Sequence, residues 1–276
     1  FGWLLSGLYQ PDNPLSNELI LKGGNCFRKA YFEHTRFSND LDFSTQSELG
    51  EERLRAAIEH ACKFAMERSG VEFLVDQNRI GTRGSIQEDS VFYEARVYFK
   101  SFYGDEEVTI KVELDVKEYD QILLPVQTRN LIHSYSDNEL CKARIRCWKL
   151  EELLAAKLKA LLQRRHSPDL YDFVFAIFFQ KFLDISRFEV ISTFLKKTIY
   201  EPNPEIAKGL LVELPFQLIR GLWNEFLVCP KPSLISFDDA ETWFRTIIAE
   251  LFGLLQPRPA FAPIGGRVTP SYFRSK

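Results

Sequence analysis

Asp40 and Asp42 stand one residue apart in the run Arg36-Phe37-Ser38-Asn39-Asp40-Leu41-Asp42-Phe43. On a strand, alternate side chains share a face, which puts Arg36, Ser38, Asp40 and Asp42 on one side and Phe37, Leu41 and Phe43 on the other. Two carboxylates aimed at one spot repel each other unless a cation lies between them. Their oxygens suit a hard divalent ion, Mg2+ or Mn2+. A bare Asp-x-Asp pair is also an ordinary polar strand edge, so its surroundings decide between the two.

Those surroundings include a glycine pair. Leu19-Ile20-Leu21 predicts a buried strand, Gly23-Gly24 a tight turn with close backbone approach, and Asn25 to His34 a helix. Amides at a helix start can hold a phosphate chain, which makes Gly23, Gly24 and Asn25 a candidate cradle. Arg28, about one helical turn further on, reaches either a phosphate or an acid such as Glu33.

Two-metal nucleotidyl transfer activates an attacking hydroxyl and neutralises the triphosphate and the leaving pyrophosphate, and it draws a third carboxylate from a neighbouring strand. Residues 108–116 alternate cleanly, with Ile110, Val112, Leu114 and Val116 on one face and Thr109, Lys111, Glu113 and Asp115 on the other. Glu113 is the first choice for the third acid and Asp115 the second; a solvated strand face accounts for both equally well.

A second cluster lies downstream. Lys157 occupies a partly apolar helix face between Leu154 and Leu161, from which it either snorkels to solvent or extends into a cleft as a point charge on a triphosphate. Ser167 as N-cap, Pro168 at the first helical position and Asp169 in the first turn predict a helix start. Asp172 follows on the same face amid Leu170, Phe173 and Val174, so its burial demands a partner such as Arg164, Arg165 or Lys157.

The elements that must position these groups divide the chain in two. Up to about residue 137 the pattern is strand-rich, with a long helix over 49–69 introduced by the capping-box-like Thr45-Gln46-Ser47-Glu48, period-two alternation from Val71 to Val116 and a hairpin turn at Gly104-Asp105. Beyond it, 148–165, 168–182, 188–197, 206–226 and 237–255 carry helical patterns. The expectation is an α+β chain: a mixed-sheet domain over 1–137, a helical domain over 138–256, and an extended or disordered tail over 257–276 rich in Pro, Gly and Arg.

Composition excludes several classes. With 276 residues, 45% hydrophobic, 26% charged and a net charge of −3, the chain is neither disordered nor fibrous, and it is not coated in basic residues. Charge is nevertheless uneven: Lys142, Arg144, Arg146, Lys149, Lys157, Lys159, Arg164 and Arg165 crowd one segment against only Glu151 and Glu152, which is either a solvated helix face or a patch for triphosphate or RNA. No apolar run is long enough for a bilayer and no signal-peptide pattern opens the chain, so a cytoplasmic protein with no membrane partner is expected. The five cysteines show no paired or zinc-like spacing, which predicts free thiols.

Taken in order, Gly23-Gly24, Arg36-Phe37-Ser38-Asn39-Asp40-Leu41-Asp42, Glu113, Lys157 and Asp169-Leu170-Tyr171-Asp172 resemble the AbiEii/AbiGii toxin nucleotidyltransferases, a branch of the DNA polymerase β-like superfamily. Asn25 stands where the family has a hydroxyl residue, and Pro168 occupies the basic position before Asp169. The resemblance implies a polymerase β-like nucleotidyltransferase domain followed by a helical domain. It also implies transfer of a nucleotide from an NTP to RNA such as a tRNA end, and a cognate antitoxin partner. In that scheme Asp40, Asp42 and Glu113 hold the metal and Lys157 neutralises the triphosphate. Asp172 orients Lys157 or an arginine, while Gly23, Gly24, Asn25, Arg28, Arg36, Ser38 and Asp169 serve the nucleotide. The competing expectations are a binding module of the same fold without catalysis, and a metal-dependent nuclease using the same carboxylates.

Overall fold

The computed structural model describes residues 1–84, 91–101, 108–179 and 183–255. The hairpin turn expected at 104–105 and the tail expected over 257–276 lie outside them.

In chain order the first part comprises α1 (Gly2–Leu8), β1 (Ile20–Lys22), a short α2 (Gly23–Cys26) that runs on as a π-turn (Phe27–Tyr31), β2 (Asp40–Ser44), α3 (Glu51–Ser69), β3 (Arg79–Gly84), β4 (Val91–Lys100), β5 (Thr109–Lys117), β6 (Gln127–Asn130) and β7 (Arg144–Cys147). The seven strands form one mixed sheet in the order β3-β4-β5-β2-β1-β7-β6. β2 lies parallel to β5 and antiparallel to β1, and β1 lies parallel to β7.

Alternation decides the two faces. Leu41 and Phe43 of β2 pair with Leu114 and Val116 of β5, and all four are buried in one hydrophobic core with α1 and α3. At Gly7 the two helices touch: a Cβ there would fall 2.7 Å from the Ala61 backbone. The same register places Asp40 opposite Glu113 and Asp42 opposite Asp115, so the acids share the other face.

Several expectations are corrected. β2 begins at Asp40, so strand alternation does not reach back to Arg36 and Ser38, and Phe37 is 43% exposed. The capping box does not form: α3 starts from Gly50, and the Thr45 hydroxyl instead donates to the Ser47 carbonyl. The sheet extends to β7, past the 137/138 division, because Arg144-Ile145-Arg146-Cys147 alternates for only four residues inside a basic stretch and gives little strand signal. Finally, the helix expected over 206–226 is three: Pro215, which lacks an N–H for a continuing helix, separates the first two, and a further break falls at Leu222.

The helices of the second part are α4 (Leu150–Gln163), α5 (Ser167–Val174) with a π-turn (Phe175–Phe179), α6 (Arg187–Lys196), α7 (Pro204–Val212), α8 (Phe216–Gly221), α9 (Trp223–Phe226) and α10 (Phe237–Gly253). Between α4 and α5 the chain reverses through Arg165 at φ +57°, which sets the two helices against each other. His166, not Ser167, is the N-cap of α5; the Ser167 hydroxyl donates to the Ile219 carbonyl. All five cysteines are free, and four are buried. Among the described residues no helix is long and apolar enough to cross a membrane.

Candidate active site

The glycine turn and the acidic strand meet. Antiparallel pairing of β1 with β2 sets Lys22 opposite Asp42, so the chain leaves β1 beside that carboxylate. Gly23 has φ +68°, and a Cβ on it would fall 1.9 Å from Asp42 Oδ2. A Cβ on Gly24 would fall 2.5 Å from Ser38 Oγ and 2.7 Å from an Arg36 guanidinium nitrogen. Asn25 is buried, and its side-chain amide donates to the Ser38 carbonyl at 3.2 Å and the Asp40 carbonyl at 2.6 Å. That amide fastens the turn to the strand. Arg28 donates to the Thr35 carbonyl at 2.6 Å and lies 4.0 Å from the Phe37 ring centre.

On the acidic face, burial and repulsion from Asp42 and Glu113 push the Asp40 carboxyl up. Burial also raises Asp42, against the pull of Lys22, Lys157, Arg164 and Arg36. Asp115 is pushed up to about 6 by burial and by Asp42, Glu94, Asp40 and Glu113. Glu113 differs: Lys111 bonds it at 2.6 Å, Arg96 lies 3.7 Å away, and its carboxyl sits below the usual range. Its charge is already answered, whereas Asp115 has no cationic partner among the described residues.

Behind the glycine turn lies an ion-pair network that is buried except for Arg164, whose side chain is 56% exposed. The Arg36 guanidinium grips Asp172 with two bonds of 2.7 Å, Nε to Oδ1 and Nη2 to Oδ2. Lys157 Nζ bonds Asp172 Oδ2 at 2.7 Å and Asp169 Oδ1 at 2.9 Å, and Arg164 takes both oxygens of Asp169 at 2.7 and 2.8 Å. Burial opposes the charge on Asp169, yet Lys157 and Arg164 hold its carboxyl well below the usual range. Burial likewise opposes the charge on Lys157, but Asp172 and Asp169 keep its ammonium above its ordinary value. Three cations thus face two carboxylates, which leaves one positive charge over, next to Asp42.

The structure therefore brings Gly23, Gly24, Asn25, Arg36, Ser38, Asp40, Asp42, Lys157, Asp169 and Asp172 into one continuous neighbourhood, with Glu113 and Asp115 on the adjoining strand. Arg28 stands apart from the ion pairs. Sequence reasoning missed Lys22, whose Nζ bonds Asp120 at 2.6 Å beneath Asp42, and Asp120, which also accepts from Ser44 Oγ at 2.7 Å. The position of Lys22 directly before the glycine pair was the available signal.

Among the described residues no three His, Cys, Asp or Glu side chains are gathered into a ready metal site. The donor chemistry of Asp40, Asp42 and Asp115 nevertheless fits a hard cation: all three are carboxylates on one sheet face whose negative charge is disfavoured as they stand. A cleft of about 770 Å³ opens elsewhere, lined by Arg28, Lys29, Phe37, Ser38, Asn39 and Tyr135 among others, and none of the acids just named reaches it.

The profile of the family "Nucleotidyl transferase AbiEii toxin, Type IV TA system" matches residues 6–239. No curated protein sequence matches the chain significantly. Among solved structures, MenT4, a nucleotidyltransferase toxin from Mycobacterium tuberculosis H37Rv, is similar at 19% identity and TM-score 0.52 over 91% of this chain and 81% of that one. JHP933 from Helicobacter pylori is similar at 17% identity and TM-score 0.55, covering 92% and 89%. A further H. pylori structure, described as that of a nucleotidyltransferase, is similar at 16% identity and TM-score 0.51, covering 92% of each chain. At these identities the likeness to solved structures is one of fold.

Proposed function

The chain belongs to the AbiEii nucleotidyl transferase toxin family, and on that premise we propose that it transfers a nucleotide from an NTP to an RNA acceptor with divalent-metal help, as a toxin restrained by a cognate antitoxin. One observation carries the proposal: Gly23 packs directly on the Asp42 carboxylate, so amides that can cradle phosphate and acids that can hold a cation open onto the same point. A triphosphate with its metal is a ligand with both requirements.

Asp40 and Asp42 would hold the metal, with Asp115 as the third carboxylate in preference to Glu113, which Lys111 and Arg96 already occupy. When bound, Mg2+ or Mn2+ would supply charge neutralisation at the phosphates and lower the pKa of the attacking hydroxyl. Gly23, Gly24 and the amides that follow bind the phosphate chain. Asn25 keeps that turn on the acidic strand. Lys157, fixed in place by Asp172 and Asp169, would add positive charge behind the phosphates. Arg36 acts through Asp172 and the Gly24 contact rather than on the nucleotide. NTPs and RNA meet in the cytoplasm, where we place the activity.

Incubation with each labelled NTP, Mg2+ and a total RNA pool tests the proposal. Label incorporated into RNA by wild type and lost in Asp42→Asn is the expected result. RNA shortened without NTP would establish a nuclease instead, and NTP binding without any turnover would establish a binding module.

A further inference from the structure

Arg28 and Lys29 lie in the π-turn just after the glycine bend and take no part in the ion-pair network. Lys29 is only 6% exposed, and its ammonium has no carboxylate partner among the described residues. Burial, with Arg28 beside it, holds it down to about 8. A buried ammonium without a counter-charge is costly, and a fold that keeps one gains from an anion arriving. The two cations line a recess of about 240 Å³ together with Glu33, His34, Phe37 and Tyr135.

The acids nearby do not supply that anion. Glu33 lies 3.8 Å from His34, and both side chains are more than half exposed. Asp137, on the wall of the larger cleft, is spent on the Trp3 indole at 2.7 Å and His133 at 2.8 Å. Two exposed aromatic rings flank the cations: Phe37, against which Arg28 stacks, and Tyr135, 58% exposed with its ring 6.0 Å from Lys29 Nζ. A buried lysine beside a half-buried arginine, rimmed by exposed rings, suits a single-stranded nucleic acid, with a phosphate for the charge and a base for a ring face. The larger cleft joins these residues to Ser38 and Asn39, the residues that lead into Asp40.

We propose that this recess grips the acceptor: a phosphodiester of single-stranded RNA sits on Lys29 and Arg28 with a base against Tyr135 or Phe37, and the strand passes Ser38 and Asn39 to bring its end to the acids. The proposal rests on RNA being the acceptor.

Binding of an end-labelled single-stranded RNA oligonucleotide, followed by fluorescence anisotropy in EDTA across a salt series, tests it on wild type, Lys29→Met and Tyr135→Ala. Lys29→Met should weaken RNA binding about tenfold and reduce the log–log salt slope by about one, because one phosphate contact is lost. Tyr135→Ala, at a position 58% exposed, should weaken it at least about fivefold. NTP affinity should stay at the wild-type value in both. Wild-type RNA affinity in Tyr135→Ala and in folded Lys29→Met overturns the grip, and if Lys29→Met does not fold, Tyr135→Ala alone decides. Wild type that transfers label to RNA while the variants bind unchanged sinks the grip but leaves the acceptor reading intact. Wild type that binds NTP but no RNA sinks both.

Discussion

Gly23 and Asp42 are in contact so close that the glycine Cα has no room for a side chain: a Cβ would lie 1.9 Å from the carboxylate Oδ2. Gly23 also needs a left-handed backbone, φ +68°. Gly23→Ala should cost about 1–2 kcal/mol in backbone strain and, by displacing Asp42, abolish metal-dependent nucleotide transfer. Gly70 gives the control, since it is left-handed at φ +73° and ψ 2° with nothing within 4 Å. Gly70→Ala should lower the urea midpoint by the backbone strain alone, with transfer retained. Equal activity in the two variants would separate the glycine turn from the chemistry.

Asp172 answers two buried cations, Arg36 and Lys157, so its removal leaves Arg36 without its bonded carboxylate and Lys157 with Asp169 alone. Asp172→Asn should destabilise the fold by about 3–5 kcal/mol, the range for breaking a buried ion pair from one side. Equilibrium urea unfolding measures it. A loss under 1 kcal/mol would mean that the network does not hold the helices to the glycine turn.

Asp169 makes acid stability diagnostic. Its folded pKa lies below the unfolded value of about 3.9, so the stability it contributes is complete above roughly pH 4 and is lost as pH falls through and below that value. Asp169→Asn should therefore be clearly less stable than wild type at pH 7, and the gap should narrow steadily as pH falls from about 4 toward 2. Urea midpoints across that range check it; a gap independent of pH would show that Asp169 stabilises by something other than its charge.

The two candidate third acids are separable by substitution. Glu113 is paired with Lys111 and Arg96, and Asp115 lies opposite Asp42 in the register. We expect Asp115→Asn to reduce transfer at least about a hundredfold, the scale of losing a group that stabilises transition-state charge, and Glu113→Gln to reduce it less than about tenfold. Single-turnover rates at saturating NTP and metal decide; the reverse order would make Glu113 the ligand.

Much of this site was legible because alternation is a local signal. Asp40, Asp42, Leu41 and Phe43 declare two faces within four residues, and the strand over 109–117 repeats the message, so the shared acidic face followed from sequence alone. The Arg36–Asp172 pair did not, because it joins residues 136 positions apart and requires the strand to stop at Asp40, against the alternation that runs back to Arg36. Asn25 directly follows the glycines, and what its position alone does not reveal is that its buried amide nitrogen donates to the carbonyls of Ser38 and Asp40. The helix expected over 206–226 failed for an equally local reason, since apolar periodicity continued through Pro215 while the backbone could not.

The central claim is that the Gly23–Gly24 turn and the Asp40–Asp42 strand bind one metal–triphosphate unit. Crystals grown with Mn2+ and a non-hydrolysable NTP test it through the anomalous signal of the metal. The account predicts a Mn2+ peak bonded to oxygens of both Asp40 and Asp42, with the triphosphate on the amides that begin at Gly23. A nucleotide seated in the cleft at Lys29, or a metal that touches neither aspartate, would contradict it.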